Sequence, residues 1–303
     1  MKKMLVFLLC VLFTFALLTG CSGEEATSSL PPTQGTSEPA AQPTEVPEPE
    51  PQVEPAGPAT IAETVLFDYE GVRLTARALE DSWMGMDLTV LIENDTETPV
   101  TVQVRNASVN GFMFPSTVFS PSVTPGNRAN DSISFMSSGL EESQIETIGV
   151  IELSFVVFHS ETWENIFTTD IITIETSAAG QFTQIIPNTI ETVFDQDGIY
   201  IAYMGIEESW MGQDVLFFIV NNTDEEITIQ VREEAVNGFM VSGIMSATVL
   251  PGKMAVDSMG FGSWDLEDND IEEIEMIEFR FNVFHGDLFR GTSFLSDIIQ
   301  IHP

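Results

Sequence analysis

The chain is poor in cysteine. Two of its 303 residues are Cys, at positions 10 and 21. That excludes a disulfide framework, and Cys10 lies in an apolar leader, so no Cys-type metal site or thiol nucleophile is expected either. The fold must rest on a hydrophobic core. At 43% hydrophobic residues, with more than 200 residues beyond the first 60, the chain can supply one. Basic residues are also scarce: 10 Lys and Arg stand against 47 Asp and Glu, for a formal charge of −37. Nucleic-acid binding needs the opposite sign and is excluded. Histidine occurs three times, at 159, 285 and 302. A zinc site wants several converging ligands; the repeats (below) share one His each, His159 and His285, placed at a strand end with the parity of core residues, and His302 lies near the C-terminus. H-E-x-x-H, G-x-S-x-G, P-loop and G-x-G-x-x-G motifs are all missing. No catalytic residue and no cofactor is expected, and the protein reads as a non-enzyme.

The single long apolar run is Met4 to Leu18, preceded by Lys2 and Lys3. Its fifteen residues fall short of the ~20 needed to cross a bilayer as a helix. A charged start, an apolar stretch and then small residues form a secretory signal, here residues 1–20. Leu18-Thr19-Gly20-Cys21 has the form of a bacterial lipobox. Cys21 is then the lipidated first residue of the mature protein, which is held by the lipid bilayer on the outer face of the cell membrane. Loss of Lys2 and Lys3 takes the formal charge from −37 to −39.

Residues 21–60 read as a tether. From residue 22 on, they carry nine prolines and seven glutamates and no aromatic residue. Such a segment cannot bury enough apolar surface to offset its ordering entropy and is expected to be disordered. Fully extended at ~3.1 Å per residue, it would reach ~120 Å.

Beyond the tether the chain repeats itself. Glu80-Asp81-Ser82-Trp83-Met84-Gly85 returns as Glu207-Glu208-Ser209-Trp210-Met211-Gly212. Val109-Asn110-Gly111-Phe112-Met113 returns as Val236-Asn237-Gly238-Phe239-Met240, both 127 positions on. Pro125-Gly126 and Val157-Phe158-His159 return at 126 as Pro251-Gly252 and Val283-Phe284-His285. This predicts two modules, 61–176 and 187–303, with a small-residue linker at 177–186. Each reads as β. Ile277 to Val283 alternates strictly between apolar and polar, as does a strand with one wet face. Asp87–Ile92 and Asp214–Ile219 are more continuously apolar, as central strands are. Turn signals separate the runs, and one helical turn is expected near Leu140 and near Leu266. The expected fold is all-β: two tandem immunoglobulin-like β-sandwich domains.

Tyr69-Glu70-Gly71-Val72, Ser82-Trp83, Val109-Asn110-Gly111 and Val123-Thr124-Pro125-Gly126, behind a lipobox and an acidic Pro/Thr tether, resemble the immunoglobulin-like surface lipoproteins of Gram-positive anaerobes. The resemblance spans both repeats. It implies a fold and a location, and carries over no catalytic residue or ligand.

Two duplicated features are candidate interaction loops: Trp83, Met84, Trp210 and Met211 in one, Phe112, Met113, Phe239 and Met240 in the other. Loops carry recognition in such sandwiches, and Trp and Met are enriched at interfaces. The alternative is that these side chains fold back to plug the sandwich ends. The acidic stretch with Asp268, Asp270 and Glu272 is a weak candidate for calcium, which takes six to eight oxygens. It lacks EF-hand spacing and has only a sparser counterpart in the first repeat. The function expected is a membrane-anchored binding or scaffolding module for a protein or cell-envelope partner. The alternative is a divalent-cation binding or sensing protein.

Overall fold

The computed structural model describes residues 59–115, 117–286 and 291–303. The signal, Cys21 and nearly all of the tether lie outside the described residues.

The described chain is almost entirely β. Its first half runs β1 (Thr64–Tyr69), β2 (Val72–Ser82), β3 (Gly85–Asn94), β4 (Val100–Val109), β5 (Phe112–Met113), β6 (Ser122–Val123), β7 (Arg128–Met136), the helical turn α1 (Ser137–Glu142), β8 (Val150–His159), β9 (Asn165–Thr168) and β10 (Ile172–Glu175). The second half repeats the order: β11 (Glu191–Gln196), β12 (Ile199–Glu208), β13 (Gly212–Asn221), β14 (Ile227–Val236), β15 (Phe239–Met240), β16 (Gly243–Ile244), β17 (Ser246–Val249), β18 (Met254–Gly262), α2 (Ser263–Asp268), β19 (Ile277–His285), β20 (Thr292–Leu295) and β21 (Ile299–Ile301). Both expected helical turns are present, and each buries its leucine, Leu140 or Leu266.

Each half is sandwich-like. In the first, the sheet β1-β2-β3-β7 faces the strands β10-β8-β4, and Leu88, Val90 and Ile92 meet Ile151, Leu153, Phe155 and Val157 in the core between them. In the second, β11-β12-β13-β18 faces β14-β19-β20, with Val215, Phe217 and Ile219 against Phe279, Phe281 and Val283. The strict alternation over Ile277–Val283 is realised, odd residues buried and even ones half-buried.

The duplication extends to irregularities. A bulge at Arg77 in β2 recurs at Met204 in β12. Another at Asn106 in β4 recurs at Glu233 in β14, and both residues have positive φ. Asn94 and Asn221, the last residues of β3 and β13, are fully buried clamps. The Asn221 amide donates to Glu225 O and Val249 O, both at 2.8 Å, while its carbonyl accepts from the Thr223 N–H and hydroxyl at 2.9 and 2.7 Å. Asn94 makes the same four bonds. All hydrogen-bonding groups of each side-chain amide are thus used, which is what makes burial tolerable.

The halves are joined by more than chain. Strand β5 pairs in parallel with the start of β18, Phe112 opposite Met254, so one continuous sheet of strands runs through both halves. The Met254 N–H donates to Gly111 O at 2.9 Å. Nor is the linker free. The Ser177 N–H donates to Thr60 O at 2.7 Å, and the Asn110 amide donates to Gln184 Oε1 at 3.0 Å.

Candidate functional site

The two candidate loops are tight hairpins, and the sequence explains each. Trp83-Met84 and Trp210-Met211 cap β2–β3 and β12–β13. The glycine after each is obligatory: at Gly85 a Cβ would lie 2.1 Å from Phe135 O, and at Gly212 2.0 Å from Phe261 O. The neighbouring strand therefore runs close against each glycine. Trp83 and Trp210 are each 92% exposed. The plug alternative is thereby excluded for both tryptophans. Asn110-Gly111 and Asn237-Gly238 have positive φ at both residues, the type I′ geometry that Asn-Gly favours. Asn110 Oδ1 accepts from the Gly149 and Val150 N–H groups at 2.8 and 3.1 Å, and Asn237 Oδ1 accepts from those of Glu275 and Met276 at 2.9 and 3.0 Å.

These two Asn-Gly hairpins have unlike surroundings. Phe112 is fully buried and Met113 6% exposed, whereas Phe239 is 50% and Met240 71% exposed. The difference is the second half itself. The Phe112 ring lies 6.2 Å from that of Phe218, and Met113 joins the apolar cluster of the second half. Phe112 and Met113 are therefore an internal joint, a role the sequence did not assign.

One group of exposed apolar side chains clusters at the end of the second half. Trp210, Met211, Ile244 and Trp264 line a groove of about 370 Å³, with Asp214 and Asp265 on its wall. Ile244 is 77% and Trp264 63% exposed. Across the Trp210 hairpin lies a second groove, of about 490 Å³, lined by Leu266, Ile271 and Ile274 and by Glu208, Glu267, Glu272 and Glu273. Trp210 stands between an aromatic groove and an acidic one. Ile244 and Trp264 were not anticipated. Trp264 has Ser138 as its repeat counterpart, so a search for duplicated motifs passes over it.

Carboxylates also meet at the seam. Glu142 on α1 is held above the usual carboxylate range, first by burial and then by the like charges of Glu207, Asp257, Asp214 and Glu141. Burial pushes Asp257 up to about 6, against the opposing effect of the Ser258 N–H, which donates to its Oδ1 at 2.8 Å. Asp268, Asp270 and Glu272 are all exposed. Among the described residues no group of three or more His, Cys, Asp or Glu side chains is placed to hold a metal ion. His159 Nδ1 lies 2.9 Å from the Thr98 hydroxyl and His285 packs near Phe294, each at a strand end. Among the described residues no helix is long and apolar enough to cross a membrane.

No protein family matches the chain, and no curated protein does either. Some solved structures show a distant likeness. The YadV chaperone is 10% identical, with 69% of this chain and 90% of that one covered and a TM-score of 0.23. The exo-chitosanase CsxA of Amycolatopsis orientalis is 11% identical over 69% of this chain and 25% of its own, at a TM-score of 0.20. A protein of unknown function from Porphyromonas gingivalis W83 is 11% identical over 79% and 98%, at 0.17. Scores this low support no assignment of activity.

Proposed function

We propose that this protein is a lipid-anchored, extracytoplasmic binding module: two tandem immunoglobulin-like domains on a disordered tether, acting without catalysis on a protein or cell-envelope partner. The observation that carries the reading is the aromatic groove of the second half. A tryptophan left 92% in solvent at a rigid hairpin tip is costly in water. Here it stands with Trp264, Met211 and Ile244 around one cavity. Exposed Trp and Met concentrated on one face mark recognition surfaces. The carboxylates beside them, in a chain of charge −37, favour a ligand that is cationic or rich in hydrogen-bond donors.

The anchor and the surface are tested separately. Cys21→Ser should move the protein from membrane to soluble fractions, and unchanged retention would defeat the lipoprotein reading. For the surface, a photo-crosslinking residue at 210 in intact cells should give one discrete adduct. The same residue placed on a polar strand position such as Glu175 should give none. A diffuse smear at both positions would mean that the groove selects nothing.

A further inference from the structure

The duplication supplies an internal control for the exposed Phe239–Met240 hairpin. Its counterpart Phe112–Met113 is buried because it pairs with the edge of β18, Phe112 meeting Phe218 on the outer face of the β12-β13-β18 sheet and Met113 joining the second half's core, with the Gly111 carbonyl accepting from Met254 and the Lys253 ammonium pairing with Glu152. That outer face is apolar, and Tyr200, Met204, Phe218, Val220 and Val256 pack against the cluster of the first half. Each matching position in the first half is polar or smaller: Arg73, Arg77, Leu91, Glu93 and Asn130. Arg73, Glu93 and Arg128 even form one cross-strand row, with Glu93 and Arg128 ion-paired at 2.8 Å.

The chain thus has two copies of the docking hairpin and one docking face, and its own first hairpin fills that face. We propose that the Phe239–Met240 hairpin is a second docking edge, and that its occupant is a β-sandwich module of a partner chain that presents an apolar outer sheet face like that of β12, β13 and β18. The argument is continuity with the joint inside this chain: same turn, same apolar pair, same strand behind it. A second wild-type copy does not qualify. Its apolar face is already covered, and its first half offers arginines where the hairpin needs methylenes. The arginine face therefore prevents the head-to-tail growth between copies that a repeated heterologous contact would otherwise allow.

The test gives the hairpin a face of known composition. In the full chain, Arg73→Tyr, Arg77→Met, Leu91→Phe, Glu93→Val, Arg128→Met and Asn130→Val convert the first-half face to the second-half pattern. Phe239→Ser and Met240→Ser in the same molecule stop it from binding itself. Mixed with wild-type protein in sedimentation velocity, this face variant should form a 1:1 complex. Wild-type protein carrying only Phe239→Ser and Met240→Ser should form none, while melting at the wild-type temperature because both side chains are exposed. If the six-substitution face fails to fold, the triple Arg73→Tyr, Arg77→Met and Arg128→Met, which removes the arginines, should still shift the wild-type boundary with the hairpin substitutions retained. No complex with a folded face variant would overturn the proposal. So would a complex that persists without Phe239 and Met240.

Discussion

Lys253, the one lysine after Lys3, crosses the seam between the halves to pair with Glu152, whose carboxylate also accepts from the Ser108 hydroxyl at 3.0 Å. Both charged side chains are largely withdrawn from water, at 18% and 19% exposure. Glu152 sits on β8 of the first half, and Lys253 precedes β18 of the second. The ion pair therefore reports on the joint and not on either core.

Breaking that pair should loosen the seam. Lys253→Ala strands Glu152 in a half-buried site, and a cost of about 1–3 kcal/mol is expected. Lys253→Ala with Glu152→Gln together should recover part of it, because the uncompensated charge is gone. A double-mutant cycle by urea denaturation measures the coupling. A coupling near zero would mean the pair is only a solvated contact.

The exposed tryptophans make a sharper case. Trp83→Ala and Trp210→Ala should each cost less than about 1 kcal/mol, as surface changes do. Loss of a core aromatic would cost about 3–5 kcal/mol. Acrylamide should quench both rings in the folded protein. Gly85→Ala, one position beyond the hairpin, should cost far more than either, since its Cβ has no room. Equal costs for Trp83→Ala and Gly85→Ala would contradict the geometry.

Much of this architecture is legible in the residues, for a physical reason. Strand alternation at Ile277–Val283 and the Asn-Gly and Pro-Gly turns are local signals, and local signals survive reading one residue at a time. The continuous apolar run Asp214–Ile219 is legible too, though its cause is not. It reads as a strand central to its sheet, and β13 is one. Its unbroken burial, however, comes in part from Phe218 lying under the first half. The matching β3 alternates, with Thr89 and Leu91 half-buried. The clue was in the differences between the copies. Repeat matching weighs what is shared, whereas the joint lives where Arg73 became Tyr200, Arg77 became Met204 and Arg128 became Met254. The groove escapes for a related reason. Ile244 and Trp264 converge on Trp210 only through pairing of β16 with β18, a contact without sequence signature.

Stability should depend on pH through Asp257. Its carboxyl is raised from 3.8 to about 6, so ionisation is less favourable in the folded state than in the unfolded one. Its stabilising contribution is complete below the unfolded value and is lost as pH rises through about 6. The size is on the order of 2–3 kcal/mol at neutral pH. Glu142, displaced in the same direction across the seam, adds to the trend. Asp257→Asn keeps an acceptor for the Ser258 N–H and removes the charge. It should raise the melting temperature at pH 7.5, change little at pH 4, and flatten the slope between. An unchanged slope in this variant would assign the pH dependence to other groups.

The two halves should not be equal when separated. A fragment of residues 61–176 leaves Phe112 and Met113 in water but otherwise shows a polar outer face. A fragment of 187–303 uncovers Tyr200, Met204, Phe218, Val220, Met254 and Val256 at once, a contiguous apolar sheet face of the kind that drives association. The first fragment should be a folded monomer. The second should keep its β structure, since its own core of Phe217, Phe279 and Phe281 is intact, yet bind a hydrophobic dye and self-associate. Tyr200→Arg, Met204→Arg and Val256→Asn, the residues that the first half carries at those positions, should restore a dye-negative monomer. If the unmodified second fragment is already monomeric and dye-negative, the outer face does not hold the halves together, and Phe112 and Met113 lose their role as the joint.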